Sequence, residues 1–384
     1  MMANKILYCA TVDYHFKAFH LPYMKWFKEQ GWDVDVVASG HIHLPFTDNK
    51  YNIPIQRSPF NRCNIKAYKQ LKHIINQNNY SIIHCHTPLG GVLARLAAKE
   101  ARKRGTKVIY TAHGFHFCKG SSLINWLIYY PTERLLSRYT DSLITINQED
   151  YNIARKHRFK AKIIEQVHGV GVNIGKFKPV TQNKKRQLKE SFGYKADDFL
   201  LFNAAEFNKN KNQQFLIHSL SLIKEEVPHA KLLLAGEGAL LESSKELASR
   251  LGISHMVDFL GFRKDIDFLL PMCDMAVASS FREGLPVNIM EAMACGLPVV
   301  AVDNRGHREL VQNNKTGWVL PFDPEAFANK IIVLANAVDM KNQLGQNGRD
   351  LIVSTYSTNK VLLEKSKIYK SYMKEQEEAM WAAH

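Results

Sequence analysis

Residues 278–310 read ASSFREGLPVNIMEAMACGLPVVAVDNRGHREL, and this stretch decides the fold. An apolar strand over Met275–Ala278 runs into the turn Arg282-Glu283-Gly284-Leu285-Pro286. A helix follows, with Ile289, Met290, Met293 and Ala294 at helical spacing; proline is tolerated in its first turn, and Gly296 with Pro298 stops it. The unpaired amides of that first turn, at the positive end of the helix dipole, form an anion site suited to a phosphate or diphosphate. Glu283 and Glu291 frame it, with seven residues between them. Both share a diphosphate's sign, so neither would hold it, but a carboxylate accepts two neighbouring hydroxyls, as the acidic residue on the ribose does in dinucleotide folds. A phosphate cradle between two diol acceptors reads as a receptor for a nucleotide-sugar. The bland alternative is an exposed helix start with ordinary acidic bias.

Length and composition fit an enzyme with two cores. The 384 residues suit about two domains, and 46% apolar with 23% charged residues is ordinary for a soluble enzyme. No apolar run reaches the roughly eighteen residues that span a bilayer. The opening MMANKILYCATVDYHF has no basic segment before a long apolar core, so no secretory signal is expected. Six cysteines, at 9, 63, 85, 118, 273 and 295, have neither metal-like nor disulfide-like spacing and read as reduced cytosolic thiols. The net charge of +15 is uneven: residues 1–180 hold 26 Lys and Arg against 11 Asp and Glu, whereas residues 181–384 hold 25 of each class. A basic face serves nucleic acid, an anionic membrane or an acidic acceptor, or is simply a solvated surface. Basic, aromatic-interleaved recognition motifs are absent, so nucleic acid is not the expected partner.

From its start the chain reads as a β-α-β unit: a strand over Lys5–Ala10, a loop over 11–16, an amphipathic helix over about Lys17–Gln30 and a strand over Asp33–Ala38. Asp13 and His15 in that loop are candidates to face an acceptor. His84-Cys85-His86-Thr87-Pro88 closes the strand Ser81–Cys85, and ligands in open α/β sheets gather beyond such ends, which makes His86 a cleft candidate. A His-x-His metal pair is the rival, but no third ligand accompanies it in sequence. Asp33-Val34-Asp35 is better explained by strand alternation than by a metal. Residues 117–138, FCKGSSLINWLIYYPTERLLSR, set an apolar aromatic cluster beside Lys119, Arg134 and Arg138. Such a segment lies in a membrane interface, receives a lipid tail, or is a core helix, and periodicity alone does not choose.

The pattern E-G-L-P-x4-E-A-M-A-x-G-x-P-V-V around Glu283 and Glu291 resembles the donor site of the retaining glycosyltransferases of family 4. The turn Thr111-Ala112-His113-Gly114, the element Gly171-Val172-Asn173, and Gly306 with Glu309 resemble further parts of that family. The resemblance implies an α/β GT-B fold, two Rossmann-like doubly wound parallel-sheet domains facing a central cleft. Residues 1–178 would bind the acceptor, residues 179–358 the nucleotide-sugar donor, and a C-terminal helix over about 359–384 would cross back to the first domain. It implies catalytic roles for Lys211 on the departing diphosphate, Glu283 at the donor sugar and His113 at the same sugar. Glu291 would hold the ribose diol; Gly284, Leu285, Pro286 and Val287 would form the helix start under the diphosphate. Gly236 would shape the turn near the nucleotide, and the loop at Phe262 and Arg263 would hold the base. The family usually has Arg where this chain has Glu206, and Lys209, Arg282 or Arg305 are candidate replacements.

The HCHTP and TAHGFHF elements look most like the EpsD-like branch of bacterial exopolysaccharide glycosyltransferases. That likeness implies transfer from a UDP-sugar to a lipid-diphosphate-linked saccharide, without cofactor or metal. The enzyme would be cytoplasmic and peripheral at the inner face of the membrane. A sugar-nucleotide epimerase, which shares the fold, and a nucleic-acid binder are the two other classes considered.

Overall fold

A strand without polar alternation must be covered by helices on both faces, and the apolar runs of this chain become the centres of two such parallel sheets. The computed structural model describes residues 3–381. The first sheet contains β1 (Ala3–Val12), β2 (Asp33–Ser39), β3 (Asn49–Asn52), β4 (Tyr80–His86), β5 (Lys107–Ala112), β6 (Ser142–Thr145) and β7 (Ile163–Gln166), in the order β3-β2-β1-β4-β5-β6-β7. The second contains β8 (Phe199–Ala204), β9 (Ala230–Ala235), β10 (Val257–Gly261), β11 (Met275–Ala278), β12 (Val299–Val302) and β13 (Gly317–Leu320), in the order β10-β9-β8-β11-β12-β13. In each, the chain winds outward from its first strand and then restarts on that strand's other side. The β1/β4 and β8/β11 pairs are therefore switch points, beyond whose carboxyl ends a crevice opens.

Each sheet has its own core. Leu7, Cys9, Val37, Ile83, Val108 and Leu143 belong to one buried cluster, and Leu201, Leu232, Met275, Val277, Val300 and Val302 to the other. Each such side chain contributes about 1.5–3 kcal/mol on burial. The six cysteines are free thiols, and all but Cys63 are buried.

The chain divides into unit 1, residues 1–171 with 358–384, and unit 2, residues 172–357; residues 1, 2 and 382–384 lie outside the described ones. The first boundary falls seven residues earlier than the expected 178/179. Residues 172–178 are bonded into unit 2: Val172 N donates to Tyr356 O at 2.9 Å, Lys176 pairs with Asp267, and Arg349 Nη1 donates to Phe177 O at 2.8 Å. The second boundary, 357/358, is one residue from the expected 358/359.

The last helix, Thr358–Trp381, belongs to unit 1. Tyr369 Oη lies 2.8 Å from His84 Nδ1, its ring packs on Phe27, and Glu364 accepts from His168 N at 3.0 Å.

The helix after β1 differs from its expectation. It starts at Tyr14 rather than Lys17 and is broken at His20 into Tyr14–Phe19 and Leu21–Glu29. Asp13 O already accepts from Phe16 N and Lys17 N, at 3.0 and 3.2 Å, and Pro22 opens the second segment. The consequence is functional: His15 and His20 both come to the sheet edge.

Candidate active site

In unit 2 the site is built on the helix Val287–Ala294, which follows β11 at the β8/β11 switch point. Its first-turn amides have no intrahelical acceptor. Asn288 Nδ2 donates to Ala204 O at 2.9 Å, tying the helix start to the end of β8. Leu285 and Pro286 are buried, Gly284 and Val287 half-buried.

The turn carrying Lys211 is stapled to the turn carrying Glu283. Phe281 N donates to Asn210 O at 2.8 Å, Asn210 Nδ2 to Arg282 O at 3.0 Å, and Ser279 Oγ to Lys211 O at 2.8 Å. Asn212 takes a left-handed conformation, φ 51°, to let the chain turn into the helix Gln213–Ser221. These bonds bring Lys211 Nζ to 2.5 Å from Glu283 Oε1. On the other side Arg305, largely buried, donates Nε to Glu283 O at 3.0 Å. Gly306 is required here: a Cβ would stand 2.7 Å from Glu283 Cβ and 3.0 Å from Pro286 Cδ. Of the three cations considered in place of Arg at position 206, Arg305 is thus bonded into the Glu283 turn. Glu206 itself is exposed.

Glu291 stands little more than one turn into the helix, half-buried. Burial pushes its carboxyl up to about 7, Lys176 opposes that rise and Asp267 adds to it. The plain carboxylate expected from the sequence is accordingly a group that titrates near neutrality. Gly236 and the Phe262-Arg263 pair follow β9 and β10 at the same sheet edge, and Gly236 N donates to Gly261 O at 2.7 Å. Phe262 is exposed, while the Arg263 guanidinium is turned onto Asp265 at 2.5–2.9 Å.

Unit 1 carries a different chemistry at its own switch point. Asp13, considered as an acceptor-facing group, is consumed by the loop: its Oδ2 accepts from Lys50 Nζ at 2.5 Å and from Ile42 N at 2.7 Å. His86, considered as a cleft residue, is fully buried, stacked on Tyr8 and tilted against His20 and His84. His113 is half-buried, and its Nε2 lies 3.2 Å from His86 Nδ1. Burial drives the proton affinities of His15, His20, His84, His86 and His113 down, that of His15 to about 4. Desolvation likewise lowers Lys365 to about 7. The third ligand that the His-x-His motif lacked in sequence is present in space: His15, His20, His86 and His113 each offer a ring nitrogen within 4.8 Å of the others.

Next to this cluster is a cavity of about 550 Å³, lined by Thr11, His15, Arg57, Thr87, Tyr129 and Thr132 among others. One of its walls is the helix Leu123–Leu136. That helix takes both readings of the 117–138 segment at once. Trp126, Tyr129 and Tyr130 pack against the unit 1 core, and Glu133 is buried on Arg95 at 2.8 Å. On the opposite side Leu123, Ile124 and Leu127 are 81%, 61% and 75% exposed. Among the described residues no helix is long and apolar enough to cross a membrane.

Two parallel-sheet units, the second with a Lys–Glu pair in front of a helix start, are the arrangement of a glycosyltransferase, and comparison with known proteins places the chain in that class. Residues 5–147 match the family model for glycosyl transferase 4-like domains, and residues 184–351 that for glycosyl transferases group 1. The chain is 50% identical over 97% of its length, and 98% of the relative's, to EpsD of Bacillus subtilis strain 168, a glycosyltransferase by name. It belongs to the group 1, family 4-like glycosyltransferases. An Escherichia coli relative, UDP-Gal:alpha-D-GlcNAc-diphosphoundecaprenol alpha-1,3-galactosyltransferase, is 28% identical over 77% of this chain and 78% of its own. Among solved structures, Anabaena HepE in complex with UDP and glucose superposes with a TM-score of 0.79 at 20% identity, covering 97% of this chain and all of that one, a likeness of fold.

Sequence reasoning did not single out Asn210, Ser279, Asn288 or Asn304, the short polar side chains that fasten the site's turns. Asn304 Nδ2 donates to Ser280 O at 2.8 Å and its Oδ1 caps the helix Arg305–Leu310. The one available signal was Asn304 standing ahead of a short helix, a preferred N-cap.

Proposed function

We propose that this glycosyltransferase moves a sugar from a UDP-sugar to a lipid-diphosphate-linked saccharide, with retention at the anomeric carbon, in the assembly of a bacterial exopolysaccharide or capsule. The observation that carries the reading is the Lys211–Glu283 pair at 2.5 Å, fastened in front of a helix start. In the absence of an anion Glu283 neutralises the ammonium. A diphosphate bound on the helix amides competes for Lys211, and Glu283 is then freed to accept sugar hydroxyls. Lys211 and Arg305 meet the charge that develops on the departing UDP, a form of electrostatic stabilisation realised mostly in the transition state. Glu291, ionised, accepts the ribose diol. The acceptor hydroxyl attacks the anomeric carbon on the face from which UDP leaves; the old carbon–oxygen bond to phosphate breaks, the new glycosidic bond forms, and the hydroxyl proton passes to a leaving-phosphate oxygen. No separate base and no metal enter this step.

The lipid-linked acceptor is supported by the name of the Escherichia coli relative and by the unit 1 cavity of about 550 Å³. Exposed Leu123, Ile124 and Leu127 beside Lys119, Arg134 and Arg138 form the apolar and basic mixture of a surface that rests on an anionic membrane. The test is incubation of the full chain with a panel of UDP-sugars and a short-chain prenyl-diphosphate-linked GlcNAc acceptor, with the product anomer read by NMR. Retained configuration in the product is expected. Inverted product, no transfer from any UDP-sugar, or a new UDP-sugar formed without acceptor would overturn the reading.

A further inference from the structure

Unit 1 gathers four imidazoles at the carboxyl edge of its sheet from three separate parts of the chain. His15 and the junction residue His20 follow β1, His86 is the last residue of β4, and His113 stands on the turn after β5. One ring nitrogen of each lies within 4.8 Å of those of the other three. Two of the spacings are shorter: His15 Nε2 to His20 Nε2 is 3.1 Å, and His86 Nδ1 to His113 Nε2 is 3.2 Å. A tetrahedral centre bonded to imidazole at ~2.0–2.1 Å sets its ligand atoms about 3.3–3.4 Å apart. The two close pairs are near that edge length already, and the remaining spacings are no more than 4.8 Å.

Paired neutral imidazoles account for either short spacing taken alone. They do not account for two such pairs, drawn from three separate parts of the chain, meeting with all four ring nitrogens within 4.8 Å of one another.

We propose that His15, His20, His86 and His113 form a binding site for a divalent first-row transition ion, with zinc the ion whose geometry and preference for imidazole it fits. Four protein ligands leave no open position, the arrangement of structural rather than catalytic zinc. The ion ties the broken helix after β1 to the ends of β4 and β5. Because His15 also lines the 550 Å³ cavity, the same tie fixes one wall of that cavity. His113 Nε2 faces the cluster, which leaves Nδ1 for any other partner. His113, which the family resemblance sets at the donor sugar, is the residue this site shares with the sugar-transfer reading, whose charged groups belong to unit 2.

The experiment uses the full chain, stripped with a chelator and desalted. Cobalt(II) titrated into it is expected to give the visible d–d absorption of a tetrahedral centre, saturating at one equivalent, and zinc is expected to abolish that signal and raise the melting temperature. His20→Gln is expected to weaken cobalt binding by more than about tenfold, the scale on which even outer partners of metal ligands act. Since a buried substitution can prevent folding, the half-buried His15→Gln is measured beside it, with circular dichroism and UDP binding as checks that both units are intact. Absent or octahedral-type absorption, stoichiometry other than one, or parental cobalt affinity in a folded His15→Gln would overturn the proposal. UDP binding read in the same samples reports on the donor site separately.

Discussion

The two sheets share one winding order, yet their switch points carry opposite chemistry. Beyond β8 and β11 stand ions: Lys211 on Glu283, with Arg305 bonded to the same turn. Beyond β1 and β4 stand imidazoles that burial holds neutral, a buried amine at Lys365, and a cavity walled by an aromatic helix. Topology therefore fixes where a ligand can sit and leaves its chemistry to the loops. The unit 2 loops are fastened backbone to backbone by short polar side chains, which suits a ligand whose charge must be met at fixed points. The unit 1 loops present rings and apolar surface, which suits a larger, more apolar partner.

The contrast can be broken first through stability. In unit 1, Glu133 neutralises the fully buried Arg95, whose guanidinium lies 3.9 Å from the Tyr110 ring centroid. Glu133→Ala leaves that cation unpaired and is expected to cost about 3–5 kcal/mol in a urea melt; a loss under about 1 kcal/mol would show that the pair does not hold the 123–136 helix in place. The unit 2 pair is partly open to solvent, so the expectation for Lys211→Ala is the reverse. Transfer falls by about 100- to 1000-fold, the scale of removing one charge-stabilising donor, while the melt stays close to the parent's. Collapse of the melt with unchanged specific activity would make Lys211 a structural residue.

A smaller effect is expected from Gly306→Ala, whose added Cβ, 2.7 Å from Glu283 Cβ, pushes the Glu283 turn aside while keeping every charge. Transfer should drop about tenfold, ~1.4 kcal/mol, with UDP binding less affected than turnover. The smallest effect is a pH dependence. Glu291 accepts a diol only when ionised, and its carboxyl, raised to about 7, gains that charge as pH rises. UDP affinity is expected to climb by at most about tenfold between roughly pH 6 and 8, and Glu291→Gln to flatten the profile. The same raised value means the folded state holds this proton more tightly than the unfolded chain does. Its contribution to stability is therefore fully present below the ordinary value of 4.5 and is lost as pH rises through about 7.

What could be read in the sequence was what is local. The strand, turn and helix over 275–294 lie where their apolar spacing and the Pro286 and Gly296 signals put them. The pairing of Lys211 with Glu283 spans 72 positions, and only the family resemblance pointed to both residues. The histidine cluster was invisible for the same reason. His86 was set aside as a metal ligand because no third candidate stood near it in the chain, but neighbours in space are set by the strand order β1-β4-β5, which brings His15, His20 and His113 to it. The broken helix at His20 mattered as well, since one continuous helix from Lys17 would have left His15 in a loop. The seven-residue offset at the first boundary is of the same kind: the partners of residues 172–178, Asp267, Arg349 and Tyr356, are far away in sequence.

Calorimetric titration of UDP and UMP into the parent and into Lys211→Ala bears most directly on the assignment of the diphosphate to unit 2. The parent should bind UDP more tightly than UMP, and the variant should lose most of that preference while its UMP affinity changes little. A Lys211→Ala protein that binds UDP as tightly as the parent would contradict the account.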